Sequence, residues 1–339
     1  MSSKKLRLSV LDQSPIRKGA TAIQAVQETI QLAKFTEQLG YTRFWVAEHH
    51  NTGILAGSSP DVLLAHLAAH TSTIRLGSGG VMLPNHSALK VAESFRMLEA
   101  LAPGRIDLGM GRAPGTDRVT ASILNPSNQF REQDFVEQLA DLQNYFHDTA
   151  DPGTIHRSIR AIPQVDTVPA MWLLSSSGQS GLFAAHFGMG FSFAHFINPV
   201  GGPQAVKLYR DRFQPSDDLT EPEANMAIFL FCSEDPEKVV QFKAVMDARF
   251  LQFEKGVITP LSYNDVKDVV YTEAEQDRIR YNRQRVVAGS PTMVKERLNV
   301  LAENYDIDEI MVVTICEDFD DRLRSYGLLA ELFELEKLS

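Results

Sequence analysis

Several features are scarce in this 339-residue chain, and each scarcity excludes a class of protein. There are two cysteines, Cys232 and Cys316, far apart in sequence. No pair has the spacing of a disulfide framework, a zinc motif or a redox CxxC. Both thiols are therefore expected to be reduced, buried in strands, and part of a cytoplasmic protein. No apolar run approaches the roughly 18 residues a membrane helix requires. The amino terminus, MSSKKLRLSV, is basic but lacks the apolar stretch of a signal peptide. Positive charge is also in deficit: 33 Lys and Arg against 43 Asp and Glu give −10. A surface of that sign repels phosphate backbones and argues against nucleic-acid binding. The densest basic cluster, from Arg278 to Arg285 in DRIRYNRQR, falls in a polar segment that reads as mobile. The 10 methionines are scattered and read as core filler.

What remains is an ordinary globular composition, 44% hydrophobic and 22% charged, arranged as an alternation. Short apolar runs at 6–11, 44–47, 74–81, 106–110, 171–174, 191–194, 225–232 and 309–315 read as eight strands. Several are apolar throughout, as parallel strands covered on both faces should be. Helical patterns lie between them. Residues 21–39 place Ile23, Val26, Ile30, Ala33 and Phe35 near a 3.6 period, and Gly40 ends the run. Ser59-Pro60-Asp61 and Ser290-Pro291 put a capping serine before a proline at the first helical position. Eight strands with intervening helices predict a single-domain (β/α)8 TIM barrel over 1–339; an open doubly wound sheet would give the same alternation. Two stretches, 148–168 and 255–289, exceed the barrel repeat. Both read as insertions, the second as a lid, a surface excursion or a dimer contact.

In a barrel the chemistry sits at the carboxyl ends of the strands. The second strand runs into Glu48-His49-His50. Alternation points Glu48 and His50 one way and His49 the other. His49 could act as a base near neutral pH, or the three residues could bond one another to close the rim. Metal ligation is disfavoured, because adjacent histidines face opposite sides. The third strand carries Gly77, Gly79 and Gly80, which weaken a strand unless the chain bulges or a flat ligand lies against it. After the fourth strand, Gly109-Met110-Gly111-Arg112 ends in an arginine placed to grip a phosphate or carboxylate, or else to pair internally, with Glu48 a possible partner. The spacing to Gly115 is not that of a dinucleotide fingerprint. Ser175-Ser176-Ser177-Gly178-Gln179-Ser180 opens a helix, as an anion nest or as simple capping. His195 ends the sixth strand and reads equally as ligand contact or rim residue.

The segments FWVAEHHN (44–51), IRLGSGGVMLP (74–84), RIDLGMGRAPG (105–115) and WLLSSSGQSGLFAAHF (172–187), in this order, resemble the bacterial luciferase-like, flavin-dependent monooxygenase family. The resemblance runs from residue 6 to about 209 and resumes in the final unit; it is weakest across 255–289. It implies a usually dimeric barrel that uses reduced FMN and molecular oxygen. His49 would be the base beside the flavin. Arg112, with Ser176, Ser177 and Ser180, would hold the FMN phosphate. Gly79–Gly80 would be a non-proline cis peptide under the ring, with Gly111 and His195 also at the cofactor. Gly111 stands where luciferase has a reactive cysteine, and Ser176 where it has a glutamate, so a long-chain aldehyde and light emission are not expected. The resemblance thus implies oxygenation of a small organic substrate by a homodimer, with the flavin reduced in place or supplied by a separate NAD(P)H:flavin reductase. The alternatives are a deazaflavin-dependent hydride transferase and a flavin-binding protein without turnover.

Overall fold

A computed structural model describes residues 5–127, 129, 131–149 and 155–337. Eight parallel strands close a barrel in the order β1 (Arg7–Asp12), β2 (Arg43–Val46), β3 (Arg75–Met82), β4 (Ile106–Gly111), β5 (Ala170–Ser175), β6 (Gly190–Ala194), β7 (Ala224–Cys232) and, closing back on β1, Glu309–Val313. The predicted barrel is therefore the observed one. A further strand, β8 (Val286–Gly289), pairs with Phe229–Cys232 of β7, so the closing strand is β9. Phe229 pairs with Val286 on one edge and Val313 on the other. β8 thus takes over the edge of β7 that β6 leaves at Ala227. The sequence reading placed these residues inside the 255–289 excursion. VVAG is too short to show a period, which is why the strand was hidden.

The helices are α1 (Ala22–Gln38), α2 (Pro60–Ala68), α3 (Ala88–Leu101), α4 (Arg118–Leu124), α5 (Glu132–His147), α6 (Gln179–His186), α7 (Gly202–Arg212), α8 (Pro236–Glu254), α9 (Tyr263–Val266), α10 (Glu273–Asn282), α11 (Pro291–Tyr305) and α12 (Phe319–Leu332). Thr21 caps α1 through a capping box with Gln24, and Gly40, at φ +83°, turns the chain where an added Cβ would strike Glu336 O at 2.1 Å. Neither Ser59 nor Ser290 makes the predicted side-chain cap; proline alone opens α2 and α11. The basic cluster is helical, lying in α10 and the 3-10 turn after it. There Arg278 pairs with Glu254, Arg280 with Asp277 and Arg283 with Asp247. Of the first insertion, residues 150–154 lie outside the described residues. Cys232 ends β7 and is buried, but Cys316 lies beyond β9 and is only partly buried. The expectation of two strand thiols holds for the first alone, because β9 stops at Val313.

Alternation divides each strand between two environments. Leu8, Val10, Phe44, Val46, Ile106, Leu108, Phe191, Phe193 and Ile310 pack outward with the helices in the main core. Inward residues form a charged floor and an apolar upper layer. At the floor, Arg43 bonds Glu309 Oε1 at 2.7 Å, Asp107 Oδ2 at 3.0 Å and Glu223 at 3.1 Å. Arg75 and the Trp45 indole N–H also reach Asp107. Buried charges survive only when paired this fully. Above the floor, Trp45 and Trp172 meet edge to face at 5.5 Å. Gly77 is explained here: an added Cβ would lie 2.7 Å from Trp45 Cδ1 and 2.6 Å from Asp107 Cβ. The flat group against Gly77 is a tryptophan of the chain itself, not a ligand.

Candidate active site

The carboxyl ends of β2, β3 and β4 meet around Glu48, which is fully buried. Its Oε1 accepts hydrogen bonds from His50 Nε2 and His86 Nε2, both at 2.8 Å. Its Oε2 accepts the Met82 N–H at 2.9 Å. The alternation argument placed Glu48 and His50 on one side, and they are there. His86 was not singled out in the sequence. It follows the 3-10 turn Leu83–Asn85, whose loop is held by Gln138 Nε2 on the carbonyls of Leu83 and His86. Burial disfavours the Glu48 charge, but the two histidines and the amide outweigh it and lower its pKa. Burial likewise disfavours a charged His86, and the Glu48 bond and charge outweigh it and raise its pKa.

His49 points away from this cluster, as expected. Its backbone N–H donates to Gly57 O at 2.8 Å, while its Nδ1 is buried without a partner. Burial lowers the His49 pKa and the His50 charge adds to this, against the pull of Glu48. The ring is therefore neutral near pH 7, with a ring nitrogen free to take a proton.

Beside it, the Gly79–Gly80 peptide is cis and the register with β4 shifts there. Gly79 faces packed side chains and Gly80 faces the backbone of β4. An added Cβ would meet Leu11 Cδ1 at 2.5 Å from Gly79, and Gly109 O at 2.8 Å from Gly80. Ser78 Oγ donates to Gly109 O at 2.7 Å, locking β3 to β4. At Gly111, a Cβ would press Met82 Sδ and Cε at 3.1 Å.

Arg112 follows directly. Its partner is not Glu48, whose oxygens are already taken, but Glu132 at the start of α5, at 3.4 Å. Gln179 of α6 also donates to Glu132 Oε2, at 2.6 Å. Neither residue was anticipated: Glu132 lies in the same connection after β4 but twenty residues beyond Arg112, past α4, and no local motif announces it. Arg112 and the amino end of α6 thus converge on one carboxylate oxygen. The serine loop is ordered by Asn198 Nδ2 on Ser176 O at 3.0 Å and by the Ser177 N–H on Ser175 Oγ. Ser176 and Ser177 reach solvent while Ser180 is buried. α6 has no side-chain cap, so the residue before it supplies no acceptor to its first-turn amides, which with the positive dipole end suit an anion.

His195 is different. It is buried, its Nδ1 accepts from Tyr305 OH at 2.7 Å, and its Nε2–H donates to Gln284 O at 3.0 Å. Both ring nitrogens are spent on tying β6 to α11 and the approach to β8, and none remains for a ligand. The rim reading fits this histidine.

The donor set and the glycine step fit a flat cofactor with a phosphate tail. The comparisons agree with that class. The profile of the luciferase-like monooxygenase family matches residues 6–306, and the chain belongs to that family. It is 48% identical to the uncharacterized protein YwcH of Bacillus subtilis, over 96% of this chain and 98% of that one. It is 36% identical to the N-acetyl-S-alkylcysteine monooxygenase of the same organism, over 96% and 98%. Among solved structures, apo-MsnO8 superposes with a TM-score of 0.90 at 35% identity, covering 98% of this chain and 100% of that one. Among the described residues, no helix is long and apolar enough to cross a membrane.

Proposed function

We propose that this chain is an FMN-dependent monooxygenase that inserts one oxygen atom of O2 into a small organic substrate. The observation that carries the reading is the convergence at one barrel mouth of the His49 ring, the Gly79–Gly80 step, Arg112 and the serine loop. Reduced FMN, when bound, supplies the two electrons that activate oxygen; the second oxygen atom leaves as water. Arg112, Ser176, Ser177 and the amino end of α6 hold the phosphate, and Glu132 yields its place on Arg112. Gly79, Gly80 and Gly111, whose side-chain positions are taken by packed neighbours, present bare backbone to the ring. His49, neutral and with an open ring nitrogen, accepts and returns the proton at the reacting atoms. The apolar wall of the mouth limits the water that would discharge activated oxygen.

The similarity to an N-acetyl-S-alkylcysteine monooxygenase makes thioether acids the first substrates to test, with the sulfoxide as product. On the family resemblance, the working unit is a cytoplasmic homodimer fed by a separate reductase. The test is anaerobic titration with reduced FMN, riboflavin and a deazaflavin. Preference for FMN over riboflavin by tenfold or more supports the phosphate site. Preference for the deazaflavin would replace this reading with hydride transfer.

A further inference from the structure

α8 lies over the barrel mouth and not against its outer wall. The evidence is that it touches inward-facing residues of β7: Phe242 stacks on Phe231 at 4.7 Å, and Phe250 meets Phe229 edge to face at 5.8 Å. Phe242, Met246 and Phe250 share one apolar cluster with Leu11, Trp45 and Ala47. Leu11 is the residue against Gly79. One continuous apolar wall therefore runs from the glycine step across the mouth to α8.

Arg249 stands on that same helix face, three residues after Met246 and seven after Phe242. Of the described arginines that are not exposed, Arg249 and Arg285 alone make neither a hydrogen bond nor an ion pair through the guanidinium. Arg285 is accounted for: its guanidinium lies over the rings of Phe250, at 5.4 Å, and Tyr281, at 5.7 Å. Arg249 has no such cover. Burial pushes its pKa down to about 10, opposed only by the Cys316 thiol and the Glu317 carboxylate. Glu317 in turn accepts the Tyr263 N–H. The other cations around the mouth have their own carboxylates, Arg17 with Glu28, Arg283 with Asp247 and Arg322 with Asp12. Arg249 is partly buried and its guanidinium nitrogens are not sealed from solvent, so it is an accessible cation in the apolar wall with no anion of its own. Its planar fork matches a carboxylate with two parallel hydrogen bonds.

We propose that Arg249 binds the carboxylate of the substrate, so that this enzyme acts on small organic acids whose apolar part rests on Phe229 and Phe250. The inference rests on the oxygenase reading for the statement that the ligand of this mouth is the substrate. The test is calorimetric binding of three acid and amide pairs: N-acetyl-S-methylcysteine, phenylacetate and hexanoate, each against its primary amide. Wild-type protein should bind the acid at least tenfold more tightly in one pair or more. Arg249→Gln should abolish that preference while leaving the amide affinity unchanged, and Arg249→Lys should keep part of it. FMN affinity, measured in parallel, should be the same in all three proteins. No acid preference in any pair, absence of binding included, overturns the proposal without recourse to a variant. So does a preference that survives Arg249→Gln, or one lost in Arg285→Gln instead. If FMN fails to bind wild-type protein while the acid preference holds, the cofactor reading fails and the anion site stands.

Discussion

Glu48 is the clearest point at which to perturb the site, because its energetics follow from three bonds. It accepts from His50, His86 and the Met82 amide while fully buried. Glu48→Ala leaves two imidazoles and one amide N–H without their acceptor. Removing one partner of a buried charged cluster costs about 3–5 kcal/mol. At about 2.1 cal/mol/K of unfolding entropy per residue, 339 residues convert this to a Tm lower by about 4–7 °C. The loss should depend on pH. Burial opposes both charges, but the mutual bond wins: the Glu48 pKa falls below its ordinary 4.5 and that of His86 rises above its ordinary 6.5. The Glu48 contribution is present above pH 4.5 and is lost as pH falls through the lowered value. The His86 contribution is present below pH 6.5 and is lost as pH rises through the raised value. The mutant deficit should therefore be largest between about pH 4.5 and 6.5. Thermal unfolding followed by circular dichroism across pH 4–9 reads the deficit, and the imidazole NMR signals read the His86 titration. A Tm within 1 °C of wild type throughout, with His86 unmoved, would refute the reasoning.

Three further outcomes are expected. Arg112→Ala should weaken FMN by about 10- to 100-fold, the value of a charged hydrogen bond to phosphate, and leave riboflavin unchanged; equal loss for both in fluorescence titration would remove the phosphate role. His49→Ala should cut turnover by about 10²- to 10⁴-fold, as for loss of a general base, with FMN affinity nearly intact. Because burial lowers the His49 pKa, the wild-type acid limb of kcat/KM should lie below pH 6.5, and a limb above that value would point to another base. Tyr305→Phe, which removes the hydroxyl from His195 Nδ1, should cost about 1–3 kcal/mol in chemical denaturation without altering FMN affinity. A flavin defect there would return His195 to the cofactor site.

The barrel was legible because its strands are apolar runs separated by helices with a clear period, and eight such units close in few ways. The side on which Glu48, His49 and His50 fall was legible because alternation in an extended chain is geometric. What escaped the sequence were partners brought in from positions distant along the chain. His86 reaches Glu48 from beyond β3, Glu132 reaches Arg112 from the start of α5, and Tyr305 reaches His195 from α11. No local pattern encodes such meetings. Arg249 escaped for another reason: what sets it apart is the absence of a partner, which only the packed structure defines. The glycines of β3 were ambiguous because a ligand and an indole press on a strand alike. In the structure the chain itself presses on all three, Gly77 against Trp45 and Asp107, Gly79 against Leu11 and Trp45, and Gly80 against the Gly109 backbone at the cis step.

The central claim is that this mouth uses reduced FMN to activate oxygen. It is tested most directly by rapid mixing of the protein, loaded anaerobically with reduced FMN, against oxygenated buffer, with flavin absorbance followed through reoxidation. The account predicts a distinct absorbance phase between reduced and oxidised flavin, lengthened when water is better excluded and abolished when FMN is not bound. Reoxidation in a single phase at the rate of free flavin would contradict it.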